Sequence, residues 1–342
     1  MNNTILKDKE NIKQWLDQYE VKNYTIHDDL TVDGDVNLSN KDLTTIEVQF
    51  NVIKGYFECN NNRLTTLQGS PKEVAKHFDC GNNKLISLQA GPQQVDGDFY
   101  CNNNLLTTLE GSPVSFNGAF YCGNNLLTSL AGCPQKIGRS FYCDNNQLTT
   151  LQDCPQIVGG DFNCNYNKLT SLQGCPKSIG KSFNCGNNLL TSLAGCPQKI
   201  GGDFYCVYNK LTNLKGSPKF VGKGFYCYNN QILSLEGSSQ SIGEDFNCSY
   251  NVLSNLQDSP KSVAGDFVCN GNPITDLNNF DSNFNGIFYH KEAIIEEFSE
   301  FYIKGELKLT HKDIENIKLN NNLNDIIKDK TETINPVNKK KL

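Results

Sequence analysis

Between residues 57 and 277 the hydrophobic positions fall in one order that recurs every 21 residues. Phe stands at 57, 78, 99, 120, 141, 162, 183, 204, 225, 246 and 267, and two residues later comes Cys each time, from Cys59 to Cys269. Three residues after every one of these Cys is Asn, from Asn62 to Asn272. Leu or Ile lies five residues after the Cys and Leu eight after, from Leu67 to Leu277. Val, Ile or Phe follows at fifteen, as in Val74, Val95, Phe116 and Ile137. Phe-x-Cys is a period-2 apolar pair and predicts a very short strand with both side chains on one face. A strand that short needs neighbours on both sides. Stacking one unit per ~4.8 Å therefore predicts a parallel sheet over a continuous core. The Asn predicts a corner closed by its amide, which can bond backbone groups otherwise left without partners.

The pattern extends beyond the regular array at both ends. Val32, Val36, Leu38, Leu43, Ile46 and Ile53 occupy the expected offsets in a degenerate first unit. Before it, Ile12, Trp15, Leu16 and Tyr19 have helical spacing and predict a helical cap over 1–29. After it, Ile294, Ile295, Phe298, Phe301 and Tyr302 predict a second helical cap, placed over 281–331 and followed by a disordered tail, 332–342. The domain reading is thus a solenoid of about twelve 21-residue repeats over 30–280, covered at both ends so that its terminal apolar faces avoid water.

In Phe141, Cys143, Asn146, Leu148 and Leu151 the unit resembles the leucine-rich repeat, with Phe and Cys standing for two of its leucines. The step from Leu151 to Pro155 is similar to the short Pro-containing repeats of bacterial effector proteins. The whole string is similar to repeats encoded by large bacteriophages and other large DNA viruses. The resemblance implies a repeat solenoid with parallel strands on its concave face, an extended, non-helical convex side and helical caps. The effectors also carry a ubiquitin-ligase domain with a catalytic Cys. No Cys follows Cys269 here, so that activity does not transfer.

Fifteen cysteines invite a metal or redox reading. The eleven in the main file are parallel side chains one strand apart, unlike the clustered C-x2-C spacing of zinc sites, and aligned thiols suit a disulfide poorly. They read as small buried hydrophobes. Cys133, Cys154, Cys175 and Cys196 align with Ser70, Ser112, Ser217, Ser238 and Ser259, so that position selects for small size. No phosphate-binding loop, nucleophile elbow or H-E-x-x-H motif is present. The expectation is a protein without catalysis, metal or cofactor.

Net charge is −6 and the only basic run is the final "NKKKL", which argues against a nucleic-acid partner. No apolar run approaches the ~18 residues of a membrane span. A polar first segment without a secretory pattern, together with so many thiols, predicts a cytoplasmic protein.

If Phe and Cys point inward, the residues between them point outward. These include Tyr100, Tyr121, Tyr142, Tyr205 and Tyr226, flanked by Tyr166, Tyr208 and Tyr250 two residues after a Cys, and by Tyr228 one after. Just before Phe stand Asp98, Asp161, Asp203 and Asp245. Rigid phenols beside Asn and Ser suit a protein-binding surface, and the Asp file favours a partner with a basic patch. The predicted function is a non-catalytic protein–protein interaction scaffold using this concave face. By the viral resemblance it is a viral factor that binds a host protein. The alternatives are a structural component of a larger assembly and a carbohydrate-binding module. Tyrosine stacking that merely stabilises the sheet is the competing explanation for the Tyr file.

Overall fold

A strand of two residues gains nothing alone, and the chain solves this by repetition. The computed structural model describes residues 5–114, 117–275, 277, 279–290 and 307–309. Within them Phe57–Glu58, Phe78–Asp79, Phe99–Tyr100 and their successors pair in parallel, Phe always opposite Phe, into a 14-stranded sheet. It runs from Val36–Asn37 to Phe288–His290 and ends on Leu307–Leu309, which is antiparallel. The chain is a parallel-strand solenoid.

Every Phe of the regular file is fully buried and its ring meets the next at 5.0–5.8 Å. The Cys and both Leu of each unit complete the core, and the degenerate first unit buries Val36, Leu38, Leu43 and Ile46 in the same way. The corner is held as its residue type demands. Asn146 Oδ1 accepts the Leu127 N–H at 3.0 Å, and its Nδ2 donates to the carbonyls of Cys122 and Cys143, each at 3.1 Å. Each such Asn thus joins two turns.

The return side is more ordered than an extended connection. Pairs such as Glu73–Val74, Lys136–Ile137 and Lys199–Ile200 pair in parallel with the next turn, in sheets of five, three and five strands of which the first begins on an antiparallel strand, Thr25–Ile26. The inward residue of each, such as Val74, Ile137 or Ile200, packs on the core. The 21-residue period explains this. Equal turns stack in register everywhere, so two adjacent extended residues on the return find a ladder partner as readily as Phe-x-Cys does.

Helix α1, Lys9–Gln18, caps the N-terminal end, with Asp8 accepting the Asn11 N–H at 2.9 Å. It buries Ile12, Trp15 and Leu16, and the Trp15 ring lies 6.5 Å from Phe50. At the other end the expected boundary at 280 needs correction. Asn283–Phe284 and Phe288–His290 are strands that continue both sheets, so 281–290 belongs to the solenoid and not to a helical cap. The reason is visible in "NFNGIFYH", where Phe284 and Phe288 hold the same offsets as Val263 and Phe267 one period earlier. The expected helix around Ile294–Tyr302, the rest of 310–331 and the tail lie outside the described residues. Among the described residues no helix is long and apolar enough to cross a membrane.

All fifteen thiols are unpaired and buried. Burial pushes them well above the ordinary thiol range, Cys80, Cys143 and Cys206 among them. The expected outcome of native alkylation with iodoacetamide is no modified cysteine by intact mass, and fifteen after denaturation. Rapid native labelling would mean that the inside and outside of the sheet are exchanged.

Candidate interaction face

The outer surface of the long sheet carries the residues between Phe and Cys, because successive side chains on a strand point to opposite sides. Tyr100, Tyr121 and Tyr142 stand there half-buried. Their rings are stacked at 4.5 and 4.9 Å, within 6° of parallel. Tyr205 and Tyr226 form a second stack at 4.7 Å. Asn163 and Asn184 separate the two groups in the same file. The rings lean toward the start of the strand. Tyr100 Oη lies 3.3 Å from Asp98 Oδ2 and Tyr142 Oη 3.5 Å from Asp161 Oδ2, while the Tyr226 ring fills the space over Gly224 where a Cβ would sit.

Partial burial, and then the nearby Asp98 carboxylate, push the Tyr100 phenol above its usual range. Burial and the Tyr205 phenol push Tyr226 up to about 12. Both stay protonated near neutral pH, so each keeps a hydrogen-bond donor at its tip.

The aspartate file does something the spacing did not reveal. Asp98 Oδ1 accepts the Ala119 N–H at 2.7 Å, Asp161 Oδ1 that of Ser182 at 3.0 Å, Asp203 Oδ1 that of Gly224 at 3.1 Å and Asp245 Oδ1 that of Asp266 at 2.8 Å. Ser140 and Ser182 substitute for it, their Oγ accepting the N–H of Asp161 and Asp203. Each of these Asp therefore joins its turn to the next through Oδ1, while Oδ2 of Asp98, Asp161 and Asp203 accepts from the Tyr100, Ser140 and Ser182 hydroxyls at 3.3, 3.3 and 3.4 Å. The signal was in the sequence, since Asp and Ser share a column just before Phe, and both are short acceptors suited to a free backbone N–H.

The remaining tyrosines stand elsewhere. Tyr166, Tyr208 and Tyr250 are not in the stacked files but on the turn at the end of the strand, and Tyr228 meets Tyr208 edge-on at 5.7 Å. The structure thus groups the predicted residues into two phenol stacks, one acceptor file and a separate turn ridge. Among the described residues, no three of His, Cys, Asp and Glu gather as metal ligands would.

No protein-family model and no curated protein matches the sequence. Solved structures with some similarity are leucine-rich repeat proteins. YopM from Yersinia enterocolitica WA-314 aligns with a TM-score of 0.49 and 16% identity over 75% of this chain, and the match covers 65% of that chain. YopM from Yersinia pestis, described as a leucine-rich effector protein, gives 0.43 and 16% over 74% of this chain and 88% of that one. The APL1 leucine-rich repeat domain gives 0.43 and 14%, covering 68% and 73%.

Proposed function

We propose that the chain is a leucine-rich-repeat-type scaffold, without catalysis or cofactor, that grips a protein partner through the outer face of the long sheet. The observation that carries this reading is the pair of stacked, half-exposed tyrosine groups, Tyr100–Tyr121–Tyr142 and Tyr205–Tyr226, on a rigid base. Rigid phenols offer contact area at low entropic cost and dominate many interfaces. Stacking also stabilises the sheet. Yet the file continues through Asn163 and Asn184 with its ladder unbroken, so the sheet does not require tyrosine there. The Asp161 and Asp203 carboxylates, half-buried beside the phenols, favour a partner with a basic patch. The viral and cytoplasmic setting, with a host protein as partner, rests on the resemblance of the repeat alone.

Affinity purification with wild type and with Tyr121→Ser/Tyr142→Ser/Tyr226→Ser is the test. The expected result is a protein bound by wild type whose purified form binds the variant at least tenfold more weakly, about 1.4 kcal/mol or more. Equal binding would remove the face from the proposal.

The reading as a building block of an assembly is less well supported. Thr25–Ile26 is antiparallel at one end of a return sheet and Leu307–Leu309 antiparallel at the end of the long one. Both interrupt the parallel register that end-to-end stacking would need. Light scattering over a hundredfold concentration range would reveal growth if this is wrong.

A further inference from the structure

Two residues after every Cys of the file the backbone turns through the left-handed region. Asn61, Asn82, Asn103, Asn124, Asn145, Asn187 and Asn229 have φ between 51° and 55°. Asn tolerates that conformation and bulky residues do not. Tyr166, Tyr208 and Tyr250 nevertheless occupy it, with φ of 50°, 52° and 52°. They gain little burial in exchange, since they are 54, 51 and 61% exposed. Strain kept at exposed aromatic residues points to a use for the rings. Room is made for one of them, because Gly271, in the same column one turn on, vacates the space its Cβ would share with the Tyr250 ring.

The three are 42 residues apart, which is two turns, so the ridge alternates Tyr166, Asn187, Tyr208, Asn229, Tyr250. Stacked phenols one turn apart on the neighbouring face are separated by 4.5–4.9 Å. Two turns therefore place successive ridge tyrosines about 9.6 Å apart, twice the strand spacing. A polyproline II helix repeats every three residues at ~3.1 Å each, about 9.3 Å per turn. Its exposed backbone, when the residues are proline, offers carbonyl acceptors and no N–H donors. The ridge complements that chemistry. The five-residue strings that start at Cys164, Cys185, Cys206, Cys227 and Cys248 contain Lys168 and Lys210 and no carboxylate, leaving phenol, amide and ammonium donors.

We propose that this ridge binds a proline-rich segment of a partner in polyproline II form, every third residue resting on one tyrosine. The proposal rests on the scaffold reading and gives it a ligand class, on a surface separate from the stacked phenols.

Calorimetric titration of the full chain with a blocked nonaproline peptide tests it. A Gly/Ser peptide of equal length and a β-1,4-linked hexasaccharide serve as controls. Wild type is expected to bind nonaproline at least tenfold more tightly than Tyr166→Asn/Tyr208→Asn/Tyr250→Asn. That variant restores the residue of the other repeats, so its melting temperature is expected to equal or exceed that of wild type. The Tyr121→Ser/Tyr142→Ser/Tyr226→Ser variant is expected to keep nonaproline affinity, so failure of the sheet face and failure of the ridge give different results. The proposal is overturned if wild type fails to bind nonaproline, if the ridge variant binds it equally, or if only the hexasaccharide binds. A lowered melting temperature in the ridge variant overturns the strain argument.

Discussion

Raising the pH past about 9 is expected to unfold this protein within a narrow interval. The buried thiols remain protonated in the folded chain because burial raises them, whereas in the unfolded chain they ionise in the ordinary range near pH 8.5. A group raised in the folded state contributes fully below its unfolded value and loses that contribution as pH climbs above it. Each thiol then costs about 1.4 kcal/mol per pH unit, and fifteen together cost on the order of 20 kcal/mol per unit before self-repulsion in the unfolded chain reduces it. Typical domain stabilities of about 5–15 kcal/mol would be exhausted within roughly one unit. Circular dichroism from pH 7 to 11 under reducing conditions checks this. Replacing Cys133, Cys154, Cys175 and Cys196 by Ser, the residue other repeats carry there, should make the transition less steep. A fold that survives to pH 11 would mean the thiols are not buried together.

The asparagine corner should show coupling between turns. The Cys143 carbonyl receives two side-chain donors, Asn146 Nδ2 and Asn167 Nδ2, both at 3.1 Å. Asn146→Leu leaves it one donor and strands the Leu127 N–H. Asn167→Leu also leaves it one, and strands the Leu148 N–H. Each single substitution is expected to cost about 2–3 kcal/mol, the scale of an unpaired buried group. The double variant leaves the carbonyl with neither Asn and should exceed the sum by about 1–2 kcal/mol. Asn145 provides the contrast. It is exposed, its φ is 51°, and Asn145→Gly should cost less than about 0.5 kcal/mol. Urea titration reads all four variants, and strict additivity of the two Leu substitutions would refute the shared-acceptor account.

Asn145 and Asn146 also mark how far the sequence could be read. They form one "NN" pair, of which only the second residue recurs in every unit, and only that one was assignable, because a buried corner has open backbone groups and a period of 21 fixes where they lie. That Asn145 marks a left-handed turn is a property of the backbone torsion, which the residue type leaves open. The functional consequence, strained tyrosines at 166, 208 and 250, was hidden with it. In sequence they joined the other phenols on one imagined face, whereas a turn in the left-handed region carries them off the pleat and onto a ridge of their own. The aspartates were read by charge alone. Their bonding to the next turn depends on an N–H that the pleat leaves unpaired just before each Phe, and charge does not reveal that.

The sequence by itself determined the inside of this molecule: which side chains are buried, the parallel stacking and the turn that Asn closes. A strict period forces equal turns into register, and two apolar residues at spacing two have only one common side to bury. The tertiary structure alone decided the outside, including the return sheets, the antiparallel final strand and the grouping of tyrosines. Those depend on backbone torsions and on contacts between turns, and exposed side chains impose no periodic demand from which either could be inferred.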